Sequence, residues 1–93
     1  RPVDTGICAQ TIMLSAAEAG YGGCILGSVD RAKVMDNLGI DREKYSLALV
    51  LALGRPKETV VLVPVKEDGN IKYYRDKDGI HYVPKRGLEE ILI

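Results

Sequence analysis

The fold of this chain is decided by the stretch AAEAGYGGCILG, residues 16–27. Its alanine-rich beginning is typical of a helix that another element can approach closely, since alanine favours helix and has a small side chain. Gly20 suits the left-handed residue that often follows a helix, and the short apolar run Cys24-Ile25-Leu26 is typical of a strand. We therefore predict a helix that ends at Gly20 and leads into a strand that ends at Gly27.

Capping residues set the expected bounds of the first two helices. Asp4 or Thr5 is expected to cap the first helix, because both side chains can accept hydrogen bonds from the free amides of a first turn. The apolar faces of this helix would come from Ile7, Cys8, Met13 and Leu14. A second, short helix is predicted from Arg31 to Leu38, with Asp30 as its cap and Gly39 at its end.

The second half of the chain reads as strands. Residues 46–53, SLALVLAL, are nearly continuously apolar, which is typical of a central strand with both faces covered. Three shorter strand patterns follow at residues 59–63, 70–74 and 80–83. The dipeptides Asp68-Gly69 and Asp78-Gly79 lie between them at hairpin spacing, so these patterns predict a small antiparallel ribbon.

Several short motifs in this order resemble the C-terminal half of the nitroreductase family of FMN-dependent oxidoreductases. They are VDTGI (3–7), CILG (24–27), LGI (38–40), LALGRP (51–56) and PKRGLEEI (84–91). The resemblance implies an α+β, nitroreductase-like FMN-binding fold, present in part, with a central sheet flanked by helices and an added β-hairpin. Residues 1–93 would be the C-terminal part of a single domain, and residues 57–83, which fit the pattern less well, a peripheral β-hairpin insertion.

Family members are longer, and their N-terminal part normally supplies an Arg-rich segment for the FMN phosphate. This chain begins at Arg1 without a methionine, so we expect a fragment of a longer protein. The missing N-terminal half of the same protein is then an expected partner. The C-terminal segment 88–93 ends in apolar residues, and in the family this segment often embraces the other subunit of a homodimer.

The resemblance also implies a cofactor site. The strand end at Ile25, Leu26 and Gly27 would pass the edge of the flavin ring, with the amides of Leu26 and Gly27 facing N5 and O4. Lys85 and Arg86 would reach the FMN phosphate. The residues alone leave other interpretations open, since residues 20–27 also read as a plain connection and the basic pair as a solvated surface pair. Some family members have an acidic residue near the position of Leu26.

The activity implied is that of an FMN-dependent oxidoreductase acting as a homodimer with FMN at the subunit interface. Such an enzyme passes hydride from NAD(P)H through flavin N5 to an electron-poor acceptor such as a nitroaromatic or quinone. It needs no catalytic acid, base or nucleophile from this chain, and we expect no metal site. The alternative is a non-catalytic fragment or subunit that needs the missing N-terminal half to bind flavin. The family also contains dehalogenases, flavin-fragmenting enzymes and peptide-ring oxidases, which the sequence does not separate.

Charge and cysteine content narrow the partners and the compartment. Thirteen basic residues balance thirteen acidic ones, which disfavours nucleic acid and anionic membrane surfaces as partners. Cys8 and Cys24 do not form a Cys-x-x-Cys motif, and their apolar neighbourhoods predict buried, reduced thiols. Reduced thiols favour a cytoplasmic location.

Several other residues could suggest a function, but we expect them to have structural roles. His81 is the only histidine, and no partner for it is identifiable from the sequence. Tyr73, Tyr74 and Tyr82 are expected to pair across strands as ordinary sheet stabilisers. The glycines at 20, 22 and 23 close a helix, whereas a dinucleotide fingerprint opens one. The segment 76–79 lacks the spacing of a calcium loop and is predicted to be a turn.

Overall fold

The computed structural model describes residues 2–93, which form a mixed α+β structure. It divides into two compact units, here called unit 1, which ends at Arg55, and unit 2, Pro56–Ile93. The elements are α1 (Pro2–Glu18), β1 (Gly22–Leu26), α2 (Arg31–Asn37), β2 (Val50–Gly54), β3 (Val60–Pro64), β4 (Tyr74–Arg75), β5 (His81–Lys85) and α3 (Leu88–Ile91). The interpretation of residues 57–83 as an insertion within a single domain stays a prediction.

Helix α1 begins earlier than its capping pattern predicted. Pro2 is its first residue, so the expectation that Asp4 or Thr5 caps the helix is wrong. Proline suits a first turn because its missing N–H would have no partner there, and a carboxylate such as Asp4 is favourable near the positive end of the helix dipole. The predicted end is confirmed. Gly20 has φ +88°, its N–H bonds to the carbonyl of Ala17, and that of Tyr21 bonds to Ala16, as in a Schellman motif.

Unit 1 is built where α1 packs on a two-stranded antiparallel sheet. Strands β1 and β2 pair from Gly22↔Gly54 to Leu26↔Val50. A Cβ added to Gly23 would lie 2.7 Å from Cε of Met13 and 2.9 Å from Cδ2 of Leu53. Glycine at this position therefore allows the helix and both strands to approach closely.

The strand predicted over residues 46–53 starts at Val50, and its only pairing in the described residues is with β1. Leu53 is 50% exposed, so the prediction of a central strand with both faces covered is wrong. Nε and Nη2 of Arg31 donate hydrogen bonds to the carbonyls of Leu47 and Ala48, at 3.0 and 3.2 Å. These carbonyls bind a side chain, and strand pairing within the apolar run begins only at Val50.

Helix α2 follows its prediction closely. The Asp30 side chain accepts a hydrogen bond from the amide of Lys33 at 3.1 Å, and Gly39 has φ +68° just beyond the helix. Met35 is buried, as is Ala9 of α1. The sequence predicted this helix well because strong local signals mark both of its ends.

Unit 2 contains a mixed sheet with the strand order β3-β5-β4. Strand β5 pairs in parallel with β3, from Val60↔His81 to Pro64↔Lys85, and antiparallel with β4. The prediction of a wholly antiparallel ribbon is therefore wrong, although the β4–β5 hairpin at Asp78-Gly79 is confirmed. The strand predicted at 70–74 shrinks to Tyr74–Arg75. Side chains just before it bond to nearby backbone amides, which competes with strand pairing.

Two further sequence expectations concern burial and membranes. Cys8 and Cys24 are free thiols, but both are exposed, so the prediction that they are buried is wrong. An apolar neighbourhood in sequence does not bury a side chain unless another element covers that face. Among residues 2–93, no helix has both the length and the apolar character needed to span a membrane.

Candidate functional site

The residues at the end of β1 are exposed in unit 1. Ile25 and Leu26 pair with Leu51 and Val50 in the sheet, yet they remain 42% and 37% exposed. Gly27 follows directly after the strand. The structure thus places Ile25, Leu26 and Gly27 at an accessible strand end, where another molecule can approach the backbone.

Gly27 differs from the other glycines of this stretch. Gly20 is required by its positive φ, and Gly23 by its close contacts with α1 and β2. Gly27 does not have a positive φ, and a Cβ there would lie an ordinary 3.8 Å from Cδ2 of Leu49. Neither backbone strain nor packing within unit 1 explains this glycine. A glycine without such a reason is consistent with close approach of a ligand to the backbone.

The basic pair lies at the end of β5 in unit 2. Lys85 is the last residue of the strand, Arg86 follows it, and both are exposed. Within residues 2–93 neither side chain forms an ion pair. Oε1 of Glu90 instead accepts a hydrogen bond from the amide of Gly87 at 3.2 Å. The two cations are therefore available to an anion.

These two groups of residues match the two needs of FMN. Its flat ring has N5 and O4 as acceptors, which suit backbone donors such as those at a strand end, and its phosphate suits a guanidinium and an ammonium group. The strand end belongs to unit 1 and the basic pair to unit 2. Each group by itself has the chemistry that one part of this cofactor needs.

A second cluster, around His81, was missed by the sequence analysis. Nδ1 of His81 lies 3.5 Å from Oε1 of Glu58, and the other carboxylate oxygen pairs with the guanidinium of Arg75. Hydrogen bonding to Arg75 lowers the pKa of Glu58, and the same bond raises the pKa of Arg75. The Tyr73 ring meets the imidazole edge-on with centroids 4.9 Å apart. Nε2 of His81 is buried without a hydrogen-bond partner in the described residues.

The sequence held only part of the signal for this cluster. Arg75 and His81 lie opposite each other across the β4–β5 hairpin, and their spacing around Asp78-Gly79 could have indicated that pairing. Glu58 precedes β3, and only the parallel pairing of β3 with β5 brings it to His81. That pairing is non-local and leaves no short pattern in the sequence.

The segment 76–80 is a turn organised by one carboxylate. Oδ1 of Asp76 accepts hydrogen bonds from the amides of Asp78 and Ile80 at 2.9 and 3.0 Å, and Oδ2 accepts one from the Tyr82 hydroxyl at 2.9 Å. Desolvation alone would raise the pKa of Asp76, but these hydrogen bonds outweigh it and lower that pKa. The bond to Asp76 raises the pKa of Tyr82. The predicted turn is confirmed.

The tyrosines pair across the hairpin as predicted. Tyr74 and Tyr82 are opposite each other, and their rings stack with centroids 5.1 Å apart and planes 18° apart. Among residues 2–93, no group of three or more histidine, cysteine, aspartate or glutamate side chains is placed to hold a metal ion.

In a comparison with known protein families, the matched residues are those of unit 1. The model of the nitroreductase family matches residues 1–55, which end where unit 1 ends. A Bacillus subtilis (strain 168) protein named "Putative NAD(P)H nitroreductase YdgI" is 28% identical over 53 residues. The match covers 57% of this chain and 25% of that protein, so the chain spans about a quarter of the relative's length.

Proposed function

This chain belongs to the nitroreductase family, and we propose that it forms part of an FMN-dependent oxidoreductase. The enzyme would pass hydride from NAD(P)H to an electron-poor acceptor such as a nitroaromatic or quinone. One observation carries the proposal: the family match covers unit 1, and the β1 strand of that unit ends at the exposed Leu26, directly before the exposed Gly27. The name of the B. subtilis relative, which includes NAD(P)H and nitroreductase, supports the choice of electron donor.

In this proposal the strand end of unit 1 orients the flavin ring. When bound, FMN supplies the redox chemistry, which is uptake and release of a hydride equivalent at N5. The amides of Leu26 and Gly27 would donate hydrogen bonds to the ring, and Ile25 would help to hold it. Backbone donors do not depend on side-chain identity, so a leucine can serve at position 26. The absence of a side chain at Gly27 keeps this backbone approachable.

The basic pair of unit 2 would bind the phosphate. Arg86 offers a planar fork with several donors, whereas Lys85 acts as a compact point charge. Both are exposed and form no ion pair within residues 2–93, so binding would not require an existing ion pair to break. The protein supplies no acid or base in this scheme, because its part is to hold the ring and shape the space above it.

The flavoprotein would act as a homodimer with FMN at the subunit interface, in the cytoplasm. The apolar side chains at the C-terminal end support the dimer, since they leave a large apolar surface uncovered. More than half of the surface is exposed in each of Ile91, Leu92, Leu88 and Ile93. The compartment is the one that suits two free thiols, and small electron-poor acceptors are the expected substrates.

Comparing FMN with riboflavin tests the proposed phosphate contact. The double variant Lys85→Ala/Arg86→Ala should weaken FMN binding about ten- to hundredfold, as expected for the loss of charged hydrogen bonds. Riboflavin, which lacks the phosphate, should bind the variant and the parent protein alike. The matched control is Lys57→Ala/Lys77→Ala, which removes two exposed charges of unit 2 outside the site. Flavin fluorescence titration measures the affinity of each of the three proteins for FMN and for riboflavin.

Two outcomes would count against the proposal. An equal loss for FMN and riboflavin would remove Lys85 and Arg86 from the phosphate site. Protein that binds neither flavin, and shows no NAD(P)H-dependent reduction of menadione or nitrofurazone, would favour the non-catalytic alternative.

The dimer has its own test. Removing residues 88–93 should shift the protein toward monomer, because the apolar tail then no longer contributes to the interface. Light scattering over a dilution series measures this shift. An unchanged dimer would exclude the tail from the interface.

A further inference from the structure

A cavity of about 670 Å³ lies within unit 2, apart from the residues that the proposed function assigns to flavin. Its lining includes Tyr74 of β4, Pro84 of β5 and two lysines of the connecting segment, Lys66 and Lys72. Cavities of roughly 300–1,000 Å³ are typical of small-molecule sites in proteins. The cavity therefore has the size for a small organic ligand.

The ring of Tyr74 lines the cavity and is held in place by other side chains. The Asp76 carboxylate, fixed by the amides of the hairpin turn, accepts a hydrogen bond from the Tyr82 hydroxyl and so holds that ring. Tyr74 stacks on Tyr82 and is itself 48% exposed. Pro84 is buried beside them and stiffens the strand. A planar ring arriving at Tyr74 would extend a stack that is already formed.

The lining also carries positive charge. Neither Lys66 nor Lys72 forms an ion pair within the described part of the chain. Of the side chains between them, Glu67 does not line the cavity. The two polar ones that do are bonded to the backbone: Asp68 accepts a hydrogen bond from the amide of Asn70, and Asn70 accepts one from the amide of Lys72. Two lysines against one aspartate leave the lining with a net positive charge.

We propose that this cavity binds a small planar aromatic anion, such as an aryl carboxylate. The aromatic ring lies against Tyr74 and the apolar walls, and the anionic group is held by Lys66 and Lys72. This assignment does not rest on the proposed flavin chemistry, because none of Ile25, Leu26, Gly27, Lys85 and Arg86 lines the cavity.

The test compares 2-naphthoate with its neutral analogue, 2-naphthamide. Each is titrated into the ¹⁵N-labelled protein and followed by amide chemical shifts. We expect 2-naphthoate to bind more tightly, with shift changes concentrated at residues 63–74 and 84. Equal affinity for the two compounds, or shift changes concentrated outside unit 2, would overturn the proposal.

Variants separate the effect of the charge from that of the Tyr74 ring. Lys66→Gln/Lys72→Gln should weaken 2-naphthoate about three- to tenfold and leave 2-naphthamide unchanged, as expected for partly exposed ion pairs. The matched control, Lys57→Gln/Lys77→Gln, removes the same charge outside the cavity and should have no effect. An equal effect of the two double variants would show nonspecific charge attraction and overturn the assignment.

Tyr74→Leu should weaken both compounds about three- to tenfold, whereas Tyr74→Phe, which keeps the ring, should bind like the parent protein. Retained affinity in Tyr74→Leu would exclude the stack. If Tyr74→Leu fails to fold, the comparison rests on Tyr74→Phe, where a loss of affinity would contradict the proposal.

Discussion

The interactions that stabilise unit 1 differ from those that stabilise unit 2. In unit 1, α1 meets the β1–β2 sheet through close apolar contact, with Met13 and Leu53 converging on Gly23. In unit 2, charged and aromatic side chains connect the strands, as in the Glu58–Arg75 pair beside His81. Close apolar packing therefore marks unit 1, and charged and aromatic pairs between strands mark unit 2. The family match ends where unit 1 ends, so the unit with close apolar packing is also the one that the family model describes.

The largest expected effect probes the shape of unit 1. Gly23→Val should lower the free energy of unfolding by about 3 kcal/mol and Gly23→Ala by about 1 kcal/mol, because the added carbons overpack against Met13 and Leu53. Denaturant unfolding followed by far-UV circular dichroism measures both changes. Unchanged stability in both variants would show that the side chains around Gly23 move aside freely, and that close packing does not define unit 1.

A polar contact inside unit 1 provides the next test. Arg31→Met removes two hydrogen bonds to the carbonyls of Leu47 and Ala48 and should cost about 1.5 kcal/mol. The control is Arg42→Met, which breaks an exposed ion pair to Asp36 and should cost about 0.5 kcal/mol or less. Equal stability losses, measured by thermal or denaturant unfolding, would mean that Arg31 does not hold the segment before β2.

A third substitution should raise stability. A Cβ added to Gly6 within α1 would meet no heavy atom within 4 Å, so Gly6→Ala should stabilise the protein by about 0.5–1 kcal/mol through better helix propensity. Gly20→Ala is the control of opposite sign, because its φ of +88° strains any residue with a side chain. A melting temperature lowered by Gly6→Ala would show that this side of α1 is covered by something that excludes a methyl group.

The smallest effect tests the role of charge in unit 2. The folded structure lowers the pKa of Asp76, so its stabilising contribution is present above the unfolded pKa of about 3.9 and is lost as pH falls through the folded pKa. Asp76→Asn should therefore speed amide exchange in β4 and β5 at pH 7, and differ less from the parent protein in acid.

Asp78→Asn is the matched control for that experiment, since it alters the neighbouring turn carboxylate and leaves the Asp76 bonds in place. Equal effects of the two variants, or an Asp76→Asn effect that does not change with pH, would contradict the role assigned to Asp76. Faster amide exchange confined to unit 1 in Asp76→Asn would contradict the assignment of this carboxylate to the stability of unit 2.

Local signals in the sequence were sufficient where one residue fixes the backbone. The end of α1 at Gly20, the Asp30 cap and the turn before β5 were all predicted correctly, because each depends on a few neighbouring residues. Signals based on apolar runs were weaker. They predicted the wrong start for β2, and they predicted that two thiols are buried although both are exposed. An apolar run does not specify which elements cover it.

For the candidate site, the resemblance named the residues and the structure described their surroundings. The special status of Gly27 among its neighbouring glycines became visible only when φ angles and contacts were known. The roles of Ile25, Leu26, Lys85 and Arg86 toward flavin stay predictions, which the riboflavin comparison tests.

The family, the α+β character and the positions of the main turns could be predicted from the amino-acid order, because they follow from short-range patterns of glycine, caps and apolar residues. The place of β5 between β3 and β4, and the contact of Glu58 with His81, became visible only in the folded chain. The physical reason is that strand pairing is chosen among distant segments by packing and hydrogen bonding together, and no local pattern records that choice.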